Sequence, residues 1–305
     1  MIGRTLGRIL SPLPGMDRIV NKKIDTHSDE VLVFCDFSVA GLKPCKSSRM
    51  GSALNKAGRL VLKGSCNRQQ VKIYQAACPE HASFIAAVSS HAEIRELFPE
   101  VLAIKERFIL CEWVAGSRKT NPANEDLAAL QSRLHHTSIA GLPVAGYDYW
   151  HDFIKPRFLL AAELAGEQAL AGEAARKVEN VWSSHRQFLM HPDLTCSNMV
   201  MSLSGSWKVI DNELLSTGGL PLLDVCNTAH SMNADQAQLY ASAYFARNRK
   251  ELSHNDLELL SAAWLGRIAG ASFVSGNLPR VKKVFRKYRS GQSILPFRMQ
   301  RSSGI

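Results

Sequence analysis

Short apolar runs in the first third of the chain are typical of β-strands. Residues 31–37 (VLVFCDF) form a continuous apolar run that predicts one buried strand. Residues 59–63 (RLVLK) and 70–74 (QVKIY) alternate apolar and polar positions around the turn-forming residues 64–67 (GSCN), which predicts a β-hairpin. Residues 103–113 (AIKERFILCEW) contain two further strand-like runs around a charged turn.

One helix is predicted inside this strand-rich region. It begins at Pro79, because proline fits the first position of a helix. Phe84, Ile85 and Val88 follow at helical spacing, and Pro99 marks the predicted end because proline cannot continue a helix.

The hydrophobic period becomes helical beyond residue 116. Helical patterns cover residues 123–136, residues 152–186 and most of the chain between Pro221 and Tyr288, and three strand-like runs lie among them, at 188–190, 199–201 and 207–210. A strand-rich half followed by a helix-rich half predicts an α+β fold of two lobes. Residues 1–115 would form a small β-rich N-lobe and residues 116–305 a larger helical C-lobe.

Composition and charge narrow the set of partners. No apolar run reaches the 18 residues of a membrane-spanning helix. The formal net charge of +10 favours anionic partners such as phosphates, acidic glycans or a membrane surface. No zinc-finger spacing or RNA-binding aromatic strand is present, so nucleic acid is not expected. The seven cysteines include no CxxC pair, which argues against a disulfide framework or a zinc site and favours a cytoplasmic location.

One polar segment carries the residue types that phosphoryl transfer needs. Residues 191–198 (HPDLTCSN) form a loop between two strand-like runs, with Asn198 five residues after Asp193. Asp211 follows thirteen residues later, at the end of another strand-like run. In phosphoryl transfer one carboxylate accepts the proton of the attacking hydroxyl, while an amide oxygen and a second carboxylate hold magnesium on the nucleotide phosphates.

The order HPDLTCSN, IDNE and LLDVC resembles the aminoglycoside phosphotransferase and choline kinase-like family, whose members have the protein-kinase-like fold. The resemblance implies ATP and Mg²⁺ as cofactors. It implies that Asp193 is the catalytic base, that His191 braces the loop, and that Asn198 and Asp211 are metal ligands. Asp224 matches the aspartate that supports the catalytic loop from the following helix.

The N-terminal half adds shorter matches to the same family. Lys72, on a predicted strand, resembles the lysine that binds the nucleotide α- and β-phosphates. Glu80 in the following helix is the expected ion-pair partner of Lys72, with Glu93 as the alternative. Residues 109–116 (ILCEWVAG) resemble the hinge between the lobes, where the backbone groups of Glu112 and Val114 would contact adenine.

The chain also departs from the family pattern. Pro192 replaces the usual glycine, and proline fixes φ near about −65° and lacks an N–H. Asn212 replaces the tryptophan or similar residue expected after Asp211. Gly51 and Gly58 are the nearest candidates for a glycine-rich loop ahead of Lys72, and neither belongs to a GxGxxG motif.

The acceptor is predicted to be a hydroxyl of a sugar or of a surface glycan such as lipopolysaccharide, because the string IDNELLSTGGLPLLD resembles family members encoded near surface-polysaccharide genes. An aminoglycoside is disfavoured, because a polycation prefers an acidic site. An aminoglycoside, choline, an amino acid or a protein as acceptor remains an alternative, and so does a catalytically inactive pseudokinase that acts as a binding module.

The basic segment at residues 280–289 (RVKKVFRKYR) has two interpretations. Its apolar residues share one helical face, so it can pack on the C-lobe with a solvated basic side, which is favoured here. It can also contact an anionic membrane, which would place the protein peripherally at the inner face of the membrane.

Overall fold

The computed structural model describes residues 31–45, 61–117, 121–183, 187–249 and 252–298. The candidate loop glycines Gly51 and Gly58 lie outside these ranges. The described chain has a strand-rich N-terminal part with one α-helix, followed by a helical part that contains five short strands in a three-stranded and a two-stranded sheet.

The N-terminal part is built on a six-stranded antiparallel sheet of order β1-β2-β3-β4-β6-β5. Its strands are β1 Leu32–Phe34, β2 Phe37–Pro44, β3 Val61–Cys66, β4 Gln69–Gln75, β5 Val101–Lys105 and β6 Phe108–Glu112. Helix α1, Pro79–Ser89, follows β4. One face of the sheet packs towards α1 and the main core, while Val39, Leu62 and Ile73 bury the other face in a second, smaller core.

The predicted β3–β4 hairpin is confirmed, with its turn at Asn67 and Arg68. Both residues have positive φ, at 48° and 67°, as two-residue hairpin turns require. The single strand predicted for residues 31–37 is wrong. Cys35 has a φ of 52° and begins a turn with Asp36, so the run forms two paired strands instead of one.

Helix α1 begins at Pro79 as predicted, but it ends at Ser89, well before Pro99. The amide and the side chain of Ser90 both donate to the carbonyl of Ala86, and the next amide, that of His91, donates to Val88 three residues back, so the α-helical pattern stops here. The apolar spacing continues beyond the end of α1 because Ile94, in a turn, and Leu97, in a short 3₁₀ helix, are also buried.

Seven helices and three short strands of the helical part agree in type with the sequence pattern. The helices are α2 Asn124–His136, α3 Lys155–Ala165, α4 Gln168–Trp182, α5 Leu222–His230, α6 Ala234–Asn248, α7 His254–Val274 and α8 Leu278–Arg289. A π-helical turn, Tyr149–Ile154, precedes α3. The short strands are β7 Gly116–Ser117, β8 Phe188–Met190, β9 Met199–Ser202, β10 Trp207–Val209 and β11 Ser216–Gly218, of which β8, β9 and β10 were predicted.

Helices α7 and α8 close the core of the helical part. Among the described residues, α7 alone has the length and hydropathy of a membrane-spanning helix, but Leu260, Trp264 and Leu265 bury it among the other helices. In α8, Phe285 is buried and stacks on Phe158 of α3 at 5.9 Å between ring centroids. The packed arrangement favoured for residues 280–289 is therefore the one observed.

Candidate active site

The loop of residues 191–198 is held at both ends by short strand pairs. Strand β8 leads into it and pairs with β11, and β9 leads out of it and pairs with β10. The amide of Ile210, just after β10, donates to the carbonyl of Asn198 at 2.9 Å. Because of this hydrogen bond, Asp211 lies beside the end of the loop although the two segments are separate in sequence.

Asn198 is oriented by Asp193. Its Nδ2 donates to the backbone oxygen of Asp193 at 2.9 Å and to Oδ2 of the same residue at 2.8 Å. Both acceptors are oxygens, so the amide nitrogen must face them. The amide oxygen of Asn198 is left available for a cation.

The carboxylates of Asp193 and Asp211 are close enough to interact. Burial raises the pKa of Asp193, and the negative charge of Asp211 raises it further. The nearby His191 and the hydrogen bond from Asn198 act in the opposite direction but do not cancel these effects. A positive charge between the two carboxylates would relieve their repulsion.

His191 is fully buried and joins the loop to two other segments. Its backbone amide donates to Oδ2 of Asp224 at 2.6 Å, which is the supporting contact that the resemblance implies. Its ring Nε2 lies 3.0 Å from Oδ1 of Asn212, and since an amide oxygen only accepts, Nε2 is the donor. Asn212, which departs from the family pattern, is therefore the hydrogen-bond partner of the bracing histidine.

Pro192 fits the loop without distortion. The amide of Leu194 donates to the carbonyl of His191 at 3.1 Å, which closes a β-turn with Pro192 at its second position. Proline is favoured there, because its fixed φ suits the turn. The loop thus accommodates the residue that replaces the usual glycine.

Lys72 points from the sheet towards the loop. The two-residue period of β4 places it on the same face as Tyr74, and its Nζ lies 4.7 Å from the Tyr74 ring centroid. Nζ donates to the carbonyl of Ile210 at 2.7 Å and lies 3.5 Å from Oδ1 of Asp211. Burial opposes the charged form of Lys72, but Asp211 and Glu213 outweigh it and raise the pKa of the lysine.

The expected ion pair of Lys72 with Glu80 is not formed; the structure pairs Lys72 with Asp211 instead. Glu80 lies in the first turn of α1 and is exposed, and Glu93 is exposed beyond the end of that helix. The α1 residue that contacts the segment after Asp211 is His81, whose buried Nε2 lies 2.7 Å from the carbonyl of Leu215. Successive residues of a helix point about 100° apart, so Glu80 faces solvent while its neighbour His81 faces the interior.

Residues 113–115 join β6 to β7 and form the connection where Glu112 and Val114 were predicted to contact adenine. The amide of Glu112 already donates to the carbonyl of Glu100 at 2.9 Å, and its side chain accepts from the amide of Glu100 at 3.1 Å. Val114 is half-buried. Gly116 follows, where a Cβ would lie 2.0 Å from the carbonyl oxygen of Met201, so this crossing requires glycine. The adenine contacts of Glu112 and Val114 remain a prediction.

The donor set fits magnesium. Across the described ranges, no group of three or more His, Cys, Asp or Glu side chains could hold a metal ion. Asp211 and the amide oxygen of Asn198 would provide two hard oxygen ligands, and Mg²⁺ usually takes one or two protein ligands together with phosphates and water. Such a site would depend on nucleotide for its remaining ligands.

Sequence reasoning missed three residues of this region. Glu213, two residues after Asp211 in IDNE, acts on Lys72 electrostatically. Arg267 on α7 lowers the pKa of Asp193 and donates through Nε to Tyr149 and Asn227. Glu213 could have been found from its position in the IDNE motif, but His81 and Arg267 carry no local signal because only the tertiary fold brings them here.

Known proteins resemble this chain in structure, but no similarity in sequence is found. No family model matches it, and no curated protein matches its sequence. One similar solved structure comes from Ralstonia eutropha and is assigned as an aminoglycoside phosphotransferase. It has a TM-score of 0.54 and 11% sequence identity, over 90% of this chain and 97% of that one.

Two further structures have the same arrangement. Choline kinase LicA from Streptococcus pneumoniae has a TM-score of 0.51 and 12% identity, over 90% of this chain and 99% of the other. Plasmodium vivax ethanolamine kinase has a TM-score of 0.51 and 12% identity, over 82% and 81%. These likenesses confirm the predicted α+β class: the chain has the two-lobed protein-kinase-like fold that is found in small-molecule kinases.

Proposed function

We propose that this protein is an ATP-dependent phosphotransferase that moves the γ-phosphate of ATP to a hydroxyl of a sugar or surface glycan component. The observation that carries the proposal is the convergence of Asp193, Asn198, Asp211 and Lys72 from a loop, a strand end and the sheet. Phosphoryl transfer requires a base, metal ligands and a cation on the phosphates, and these four residues have the chemistry for those roles.

Asp193 would accept the proton of the acceptor hydroxyl while the oxygen of that hydroxyl attacks the γ-phosphorus and the bond between the γ-phosphorus and the leaving ADP breaks. Its raised pKa suits this function, because a more basic carboxylate accepts a proton more readily. The hydrogen bonds from Asn198 fix the direction in which the Asp193 carboxylate points.

Asp211 and Asn198 would hold Mg²⁺, which when bound neutralises the charge on the β- and γ-phosphates. Lys72 would leave Asp211 and bind the phosphates, since a lysine ammonium is mobile and Asp211 would then face the metal. LicA has been crystallised with AMP, which supports a nucleotide as the shared ligand of this fold.

A sugar or glycan acceptor is favoured over a polycationic one by the net charge of +10 and by the motif resemblance. A cytoplasmic location is proposed with it, since ATP is available there and none of the seven cysteines, all of which the structure describes, is in a disulfide. Contact of the exposed basic side of α8 with an anionic membrane belongs to the same proposal, because it would bring the enzyme to a lipid-linked glycan.

The test is phosphate transfer from ATP with Mg²⁺ across a panel of sugars, glycan fragments, aminoglycosides and choline. Asp193→Asn should lower kcat at least ~100-fold, the usual contribution of a general base. Asp235→Asn, an exposed residue in the first turn of α6, is the matched control and should keep full activity. Binding of ATP without transfer to any acceptor would identify a pseudokinase and refute the proposal.

A further inference from the structure

A cleft of about 80 Å³ lies where the C-terminal ends of α5 and α7 meet the start of α8. It is lined by residues that donate hydrogen bonds or are apolar: Arg267, Arg280, His230, Trp264, Ser272 and Ser275. Its lining contains no carboxylate. We infer that this cleft binds an anionic group, a phosphate or carboxylate, carried by the acceptor of the reaction proposed above.

Neither arginine of the cleft is in direct contact with a carboxylate, although Arg267 acts on Asp193 from a greater distance. Within the described ranges, neither Arg267 nor Arg280 forms an ion pair with a carboxylate. Arg267 uses Nε to hold Tyr149 and Asn227, each at 2.9 Å, so its terminal nitrogens remain for another acceptor. Arginine is suited to this task because its planar donors match phosphate and carboxylate oxygens.

His230 adds a third donor. Nη2 of Arg280 lies 3.5 Å from Nε2 of His230, and because arginine can only donate, Nε2 is the acceptor. The proton of the neutral ring is therefore on Nδ1. The edge-to-face contact with Trp264, at 5.3 Å between centroids, holds the ring in place.

The charge balance of the cleft favours an anion. The C-terminal ends of α5 and α7 each contribute roughly half a negative charge, while the two guanidinium groups contribute two full positive charges. The groups that line the cleft therefore leave about one positive charge, before the more distant carboxylate of Asp193 is counted. Consistent with this, burial lowers the pKa of His230 and the charges of Arg280 and Arg267 lower it further.

Helix α5 connects the cleft to the catalytic loop. Asp224 near its start accepts from the backbone of His191, and His230 is its last residue. Six residues at 1.5 Å each separate the two by roughly 9 Å along the helix axis. Arg267 lies between them, since it contacts Asn227 of α5 and acts electrostatically on Asp193. An anionic group in the cleft would thus be several bonds away from the reacting hydroxyl.

The first measurement tests the cleft without any enzymatic turnover. Inorganic phosphate is titrated into the full-length protein while the His230 ring is followed by NMR, with His230→Gln used to assign its signal. Phosphate should raise the pKa of His230, since a bound anion offsets the charges of Arg280 and Arg267, which face it from α8 and α7. Arg280→Gln should weaken phosphate binding at least fivefold, and Arg286→Gln, exposed elsewhere on α8, should not change it.

The second measurement asks whether the anion belongs to the acceptor. A phosphorylated sugar should have a higher kcat/KM than the same sugar without phosphate, and Arg280→Gln should remove that preference by raising KM and leaving kcat unchanged. Inorganic phosphate should compete with the acceptor. Inhibition that does not compete with the acceptor would assign the anion to a separate source and overturn this part of the inference.

The two proposals fail in different ways. Equal phosphate affinity in wild type and Arg280→Gln, or no response of His230, overturns the cleft as an anion site whatever the activity. Phosphate binding at the cleft without transfer to any acceptor contradicts the proposed function and leaves the anion site standing.

Discussion

The backbone amide of His191 donates to the buried carboxylate of Asp224 at 2.6 Å, across 33 residues of sequence. The same carboxylate oxygen lies 3.5 Å from Nε2 of His135 on α2. Asp224→Ala would leave the buried amide of His191 without its acceptor, which costs about 1–3 kcal/mol. We expect urea denaturation to show a loss of this size. Asp224→Asn keeps an acceptor oxygen and should lose less, and equal losses in the two variants would contradict this account.

Removal of the Lys72 ammonium should weaken nucleotide binding more than it changes folding. Lys72→Met would take away the cation that now faces Asp211 and that would bind the phosphates. Steady-state kinetics should show KM for ATP rising about tenfold or more, the equivalent of ~1.4 kcal/mol. Lys43→Met, an exposed lysine on β2, is the control and should leave KM unchanged. An unchanged KM in Lys72→Met would place the phosphates elsewhere.

Magnesium should stabilise the protein only when nucleotide is present, because in the proposed site Asn198 and Asp211 would supply two ligands and the phosphates the others. Thermal unfolding should show a rise in Tm with ATP and Mg²⁺ that EDTA reverses, since a ligand that binds only the folded state stabilises it. Asp211→Asn should abolish the magnesium-dependent part of the shift. A full shift in that variant would exclude Asp211 as a ligand.

The raised pKa of Asp193 predicts a pH-dependent effect on stability. Because the folded state holds the proton more tightly than the unfolded state, ionisation of Asp193 destabilises the fold as pH rises above about 3.9, the unfolded value. Asp193→Asn removes this charge and should raise Tm by roughly 2 °C at pH 7. The gain should disappear below about pH 4, where both states are protonated. A gain that is the same at both pH values would point to a cause other than this ionisation.

Pro192→Gly should be tolerated by the active site. The β-turn closed by Leu194 and His191 does not need an N–H at position 192, and glycine can adopt the same backbone angles. We expect kcat to change less than about threefold and stability to fall by ~0.5–1 kcal/mol, because glycine gives the unfolded chain more freedom. A large loss of kcat would mean that the proline itself positions Asp193.

The hydrophobic pattern was sufficient for the class of fold and for most elements. Strands β3 to β6 and helix α2 follow directly from period-two and period-3.6 spacing, because these periods reflect which side chains face the core. The predicted ends of the strands and helices were less accurate. The turn at Cys35 and the end of α1 at Ser89 depend on local hydrogen bonds and positive φ values, which leave no periodic signal.

The sequence by itself determined the candidate base and metal ligands, because Asp193, Asn198 and Asp211 belong to a motif with fixed order and short spacing. Only the tertiary structure decided the partner of Lys72, the contact of His81 with Leu215, and the cleft formed by Arg267, Arg280 and His230. These depend on the direction in which side chains leave their helices and strands and on which elements pack together. Such directions follow from the packing of the whole chain, so they cannot be predicted from a local stretch of sequence.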